Sequence, residues 1–253
     1  VAGSEADFVA LMNEKAAALG MKNSSFANPS GLNDDDHYSA AYDMALLAQA
    51  CLANGTVAEI CATQSITVGT RTFVNHNKLL RRYEGCVGMK TGFTEKAGRT
   101  LVSAAIRDGQ TLICVTLNDG DDWNDHTKLL DYGFATFPRQ VLCRQGEVLG
   151  SVAVEGSLIP TMPVVTQGEL GYPLTEAEKA VMEAEILQSA SAPIAPGVQL
   201  GELRWRLNGK VIAQMPLVSQ SGAGLDVRQP LTLWEKVRTL FGGEADVFSP
   251  VLN

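Results

Sequence analysis

Lys90, Thr91 and Gly92 open a strand-like apolar run inside GCVGMKTGFTEKAGRTLVSAAI, and they are the residues with the most chemical promise in this chain. Together they offer an ammonium, a hydroxyl and a position free of side-chain bulk. Taken alone, the same tripeptide also reads as an ordinary strand start with an exposed lysine. Acyl transfer by a serine needs that serine beside a base, and no short local pairing of the two stands out here. Stepping back three positions from each of the nine lysines gives Met12, Leu19, Asn75, Val87, Phe93, Asp125, Glu176, Leu207 and Leu233, never a serine; no serine stands two before any asparagine either.

Other polar clusters read more simply. Asn75-His76-Asn77 is expected to hydrogen-bond a loop. Asp121-Asp122-Trp123-Asn124-Asp125-His126 has side chains that suit divalent ions, but its acidic residues ahead of Leu129, Leu130, Phe134 and Phe137 fit a charged helix N-terminus better. His37, beside Asp34, Asp35 and Asp36, reads as part of a solvated loop. Neither a metal nor a cofactor is expected.

The elements that must position Lys90 follow from patterning. Ser4, with Asp7 three later, caps a helix carrying Phe8, Met12, Ala16 and Leu19 and stopping at Gly20. Asn28-Pro29-Ser30-Gly31 begins a loop; Ser39 opens a second helix with Met44, Leu47, Ala48 and Cys51 that ends near Gly55. SITVGTRTFV is β-prone. TLVSAAI and TLICVTL, joined by Arg107-Asp108-Gly109-Gln110, read as a hairpin, and their unbroken apolarity predicts cover on both faces. Beyond Pro138 the chain becomes richer in proline and turns, with short alternating segments. Leu203, Trp205 and Leu207 oppose Glu202, Arg204 and Arg206, ahead of an Asn208-Gly209 turn. LTEAEKAVMEAEILQ carries helix propensity and a Thr175/Glu178 capping box among strands, and is left open between helix and strand. Thr232 and Glu235 cap a terminal amphipathic segment with Leu233, Trp234, Val237, Leu240 and Phe241 on one face.

Composition sets outer limits. The chain has 253 residues, is 45% hydrophobic and carries a net charge of −8. That is ample for a packed core and argues against a nucleic-acid surface, which needs a basic stripe to neutralise phosphates. Five dispersed cysteines without a CxxC pair imply no metal or redox framework. Cys114, inside TLICVTL, reads as a buried thiol. The start at Val1 makes the lack of a signal peptide uninformative.

FVALMNEKAAALGM, SSFANPSGL, SAAYDMALLAQA, NHNKLL and GMKTGFTEKAGRTLVSAA, in that order from about Gly3 to Phe137, closely resemble serine-type D-alanyl-D-alanine carboxypeptidases, the low-molecular-mass penicillin-binding proteins. Lys-Thr-Gly is one of three signatures that penicillin-binding proteins share with class A β-lactamases, the others being Ser-x-x-Lys and Ser-x-Asn; neither of those occurs here, so the resemblance implies a nucleophile outside these residues. The resemblance implies an α/β (α+β) fold. Residues 1–138 would be the C-terminal part of a DD-peptidase domain, an antiparallel sheet with helices. Residues 139–228 would be a small β-sandwich-like domain, and 229–253 an amphipathic helix and tail. It assigns Lys90 to the cleft wall as a catalytic and substrate-binding ammonium, and Thr91 and Thr94 to the substrate carboxylate. Gly92 would let substrate lie along the strand edge, and the Phe93 N–H would be half of the oxyanion hole. Arg99 would be a second, more loosely assigned carboxylate partner.

The implied substrate is the peptidoglycan stem peptide, and β-lactam antibiotics would trap the same serine. The implied place is the cell envelope, outside the cytoplasm, with residues 232–241 either lying on the membrane or docked on their own domain. The isolated chain is expected to be inactive and, lacking strands beside Lys90, prone to aggregate through its sheet edge. Two rival readings share the scaffold: a secreted serine β-lactamase, disfavoured by the β-rich module, and a non-catalytic envelope-binding protein.

Overall fold

The computed structural model of the protein describes residues 2–226, so the amphipathic segment at 232–241 lies outside the described residues. The chain divides into two compact units, Val1–Pro138 and Arg139–Asn253.

In unit 1, Ser4 Oγ accepts from the Asp7 N–H and starts α1 (Glu5–Ala18). The helix after the Asn28 loop, α2 (Ala41–Leu52), is capped one residue later than its sequence suggests, at Ala40. Gly55 does not end a region of helix. It begins α3 (Gly55–Ala62), because Asn54 Oδ1 takes the Val57 N–H and restarts the helix at a sharp bend. SITVGTRTFV forms the hairpin β1 (Ser65–Val68) and β2 (Arg71–Val74), followed by the short α4 (Leu79–Arg82).

The centre of unit 1 is an antiparallel sheet in the order β3 (Cys86–Thr94), β4 (Gly98–Arg107), β5 (Gln110–Leu117). Asp108 and Gly109 turn β4 into β5 with φ of 50° and 75°, the left-handed pair that a two-residue hairpin requires. Strand alternation sends successive β4 side chains to opposite faces. Leu101 and Ala105 pack with Leu79, Tyr83, Cys114 and Leu130, the last from α5 (Asp122–Thr136). Val102 and Ala104 pack with Met89 and Ala48 of α2, joined by Cys61 of α3. Helices thus cover both faces of the strands that carry TLVSAAI and TLICVTL.

Unit 2 holds a six-stranded sheet in the order β10-β12-β13-β8-β7-β11 and a two-stranded sheet β6-β9. These strands are β6 (Arg139–Cys143), β7 (Val148–Glu155), β8 (Thr161–Thr166), β9 (Leu170–Pro173), β10 (Val181–Ile186), β11 (Ser189–Ser191), β12 (Gln199–Leu207) and β13 (Lys210–Ser219). Leu203, Val152, Val164 and Leu217 form its core with Cys143 from the smaller sheet. The ambiguous LTEAEKAVMEAEILQ resolves as a turn and a strand. Glu178 carboxylate does accept from Thr175 N–H and Oγ1, but the chain then extends into β10. Pairing with β12 overrides local helix propensity, reinforced by Arg206–Glu183 at 2.7 Å and Arg204–Glu185 at 3.2 Å across the strands.

Candidate active site

Lys90, Thr91, Gly92, Phe93 and Thr94 all lie on β3, which has no strand partner on its outer side among the described residues. Which backbone groups face that free edge follows from one hydrogen bond. Arg99 C=O accepts from Asp119 N–H at 3.0 Å, so Arg99 turns its backbone toward the β5 side. In an antiparallel pair the residues opposite each other either exchange both backbone bonds or neither. Phe93 stands opposite Arg99, and Thr91 opposite Leu101, two residues on. Phe93 and Thr91 therefore point N–H and C=O away from β4, into the space beside the sheet. Lys90 Nζ donates to that outward Thr91 carbonyl.

The pleat separates the side chains. Lys90, Gly92 and Thr94 share the face of Val102, covered by α2 and α3, whereas Thr91 and Phe93 share the face of Leu101 and α5. Phe93 is 70% exposed. Gly92 suits its neighbour across the strand: a Cβ there would sit 2.5 Å from Thr100 Oγ1, so that side chain or the strand would have to shift.

Arg99 is placed differently from a free carboxylate receptor. Its guanidinium grips Asp122 with Nη2 at 2.7 and 2.8 Å and Nε at 3.2 Å, and lies over the Trp123 ring. Asp122, in the first turn of α5, is only 3% exposed. The pair fastens α5 to the end of β4, and the outer side of Arg99 remains partly open. Thr94 Oγ1 donates to Asn33 Oδ1 at 2.9 Å and accepts from Ala97 N–H at 3.0 Å.

The remaining polar clusters serve the scaffold. Asn75 Oδ1 accepts from Asn77 N–H, its amide donates to the Cys61 and Thr63 carbonyls, and Asn77 Oδ1 accepts from Leu79 N–H. His37 Nδ1 accepts from Ala27 N–H and the ring meets Phe26 edge-on. Asp122 and Asp125 do charge the first turn of α5. His126 is fully buried between Ser103 Oγ at 2.6 Å and Thr116 Oγ1 at 3.1 Å. Sequence reasoning did not find this three-residue contact, whose members come from α5, β4 and β5. Burial lowers the His126 pKa, against the pull of Asp122, Asp119 and Asp125. Ser103 resembles an activated serine only in its partner, because both groups are sealed from substrate. The thiols are no substitute nucleophile: burial raises the pKa of all five, Cys114 to about 11, and the thiolate is the reactive form.

The architecture has known counterparts. The peptidoglycan synthesis regulatory factor PBP3 of Streptococcus pneumoniae matches with a TM-score of 0.72 at 23% identity, over 88% of this chain and 71% of its own. Penicillin-binding protein 5 of Haemophilus influenzae matches with a TM-score of 0.58 at 26% identity, over 86% and 66%. A mixed α/β unit with a β-rich unit after it is thus the fold of the penicillin-binding DD-peptidases. The D-alanyl-D-alanine carboxypeptidase family model matches residues 1–121, and that of the penicillin-binding protein 5 C-terminal domain matches 137–223. The chain belongs to the D-alanyl-D-alanine carboxypeptidases, the low-molecular-mass penicillin-binding proteins. Among curated relatives, DacF of Bacillus subtilis is 31% identical over 87% of this chain and DacC of Escherichia coli 33% over 86%. The chain spans 59% and 56% of the length of those two relatives.

Proposed function

We propose that residues 1–138 supply the carboxylate and oxyanion side of a D-alanyl-D-alanine carboxypeptidase site acting on peptidoglycan stem peptides. Residues 139–228 are the accompanying β-rich domain, and 229–253 the tail. The observation that carries the reading is the outward N–H of Phe93 and C=O of Thr91 on the free edge of β3, immediately after Lys90.

A stem peptide ending in D-Ala-D-Ala lies along that edge as an added strand. Lys90 raises the positive potential around its terminal carboxylate, with the hydroxyl of Thr91 and the partly open side of Arg99 nearby. A serine outside these 253 residues attacks the penultimate carbonyl. The oxygen that becomes negative accepts from Phe93 N–H, and losing one such donor typically costs about 2.7–4 kcal/mol. The C–N bond breaks, D-alanine leaves with a proton, and water hydrolyses the acyl-serine. A β-lactam acylates the same serine and leaves it slowly.

The match of residues 137–223 to a penicillin-binding protein C-terminal domain favours this over a β-lactamase. Family members work in the periplasm or anchored at the membrane, and the amphipathic pattern at 232–241 fits a membrane-surface contact. Among the described residues no single helix is long and apolar enough to cross a membrane.

Release of D-alanine from a synthetic stem pentapeptide by the product of the intact gene tests the reading. Release that collapses in Lys90→Ala supports it; rapid turnover of penicillin without release would replace it with a β-lactamase.

A further inference from the structure

The loop from Ser25 to Tyr38 touches the end of β3. Its ends are bridged, Ser25 N–H to Tyr38 C=O at 2.9 Å and Tyr38 N–H to Ser25 C=O at 3.0 Å. Inside it, Asn28 Oδ1 accepts from Ser30 Oγ and from the Gly31 N–H, and His37 fixes the Ala27 backbone. It is a solvent-exposed loop closed by its own hydrogen bonds. Two of its side chains reach 61 residues along the chain to the β3–β4 turn: Asn33 to Thr94 at 2.9 Å and Asp35 to Lys96 at 2.6 Å. The second pair is fully solvated and contributes little.

The Asn33 contact differs because it uses up a hydroxyl. Thr94 Oγ1 has one proton, given to Asn33, and one of its lone pairs is taken by the Ala97 N–H that closes the turn. Its rotamer is therefore set from both sides, and with it the backbone joining Phe93 to the turn. A donor aimed at developing charge must be held in place before the reaction to be worth its full value. We propose that Asn33 is a positioning residue for the Phe93 N–H, acting through Thr94, so that the Thr94 hydroxyl serves the strand and not the substrate. The role rests on the carboxypeptidase reading.

The test is the rate of acylation of the intact gene product by labelled penicillin. Asn33→Ala and Thr94→Val should each slow acylation about tenfold, a fraction of the roughly 100- to 1,000-fold lost with a whole oxyanion donor. The penicillin concentration for half-maximal rate should move less than about twofold, because the donor acts mainly in the transition state. Asn33→Asp keeps the acceptor oxygen and should retain the parent rate, and the double variant should be no slower than the slower single one. If Asn33→Ala fails to fold, Thr94→Ser against Thr94→Val poses the same question. An Asn33→Ala protein acylated at the parent rate, or a double variant with multiplied defects, overturns the positioning role alone. No adduct on the unsubstituted protein overturns the carboxypeptidase reading and the role together.

Discussion

Replacing Gly92 with Ala adds one methyl group, and the structure says which atom it meets. The new Cβ falls 2.5 Å from Thr100 Oγ1, while the next neighbours, Thr100 Cβ and C=O, stand at 3.9 and 4.0 Å, in ordinary contact. One oxygen therefore has to withdraw by about 0.9 Å, by an off-rotamer Thr100 at about 0.5–1.5 kcal/mol or by a shift of β3 from β4. Overpacking of this kind typically costs about 1–3 kcal/mol. Thr100→Ala deletes the obstacle at a half-buried cross-strand position, and should itself cost less than about 1 kcal/mol. The pair Gly92→Ala/Thr100→Ala should then recover most of the loss, giving a coupling of about 1–2 kcal/mol. Thr100→Val keeps a branched side chain and should rescue nothing. The assay is urea unfolding of the 253-residue chain combined with amide exchange in the β4 peptide, which reports local opening. A neutral Gly92→Ala, or a double variant as unstable as the sum of its parts, would refute the inferred packing of β3 on β4.

Arg99→Ala leaves Asp122 charged and almost sealed from water, a defect that typically costs about 3–5 kcal/mol for a fully buried pair. With the guanidinium 40% exposed, about 2–3 kcal/mol is expected, and Arg99→Ala/Asp122→Ala should be milder than Arg99→Ala alone; denaturant unfolding measures both. His126 has a folded pKa below its unfolded value of about 6.5, so the unfolded chain binds more protons. The stability linked to it is whole above about pH 6.5 and is lost as pH falls toward the depressed folded pKa, a slope that His126→Gln should remove from a series of melting temperatures. Glu183→Lys places like charge against Arg206 and should destabilise unit 2 by about 0.5–1 kcal/mol, read from its melting temperature.

Much of this protein is legible locally. Asp108-Gly109 and Asn208-Gly209 both form the turns their residues prescribe, with positive φ at each position. Ser4 caps the first helix because the capping bond spans only three residues. What escapes a sequence reading is long-range competition. Asn54 restarts a helix just where Gly55 reads as a stop, and β12 pulls Val181–Ile186 out of a helical preference into β10. The site divides the same way. Lys90 to Thr94 announce themselves by type and order, whereas the demand of Thr100 on Gly92 and of Asn33 on Thr94 depends on residues 8 and 61 positions away. Arg99 shows the limit most clearly. Its charge suggests a carboxylate ligand, and only the fold reveals that Asp122 holds one side of it while the other stays partly open.

The proposed site is completed by a serine that residues 1–253 do not supply. Labelled penicillin, added to the intact gene product and followed by peptide mass mapping, tests it most directly. A single adduct is expected, on a serine three positions before a lysine, in a peptide absent from residues 1–253, with labelling lost in Lys90→Ala. An adduct on Ser103 or any other residue within 1–253, or labelling indifferent to Lys90, would contradict it.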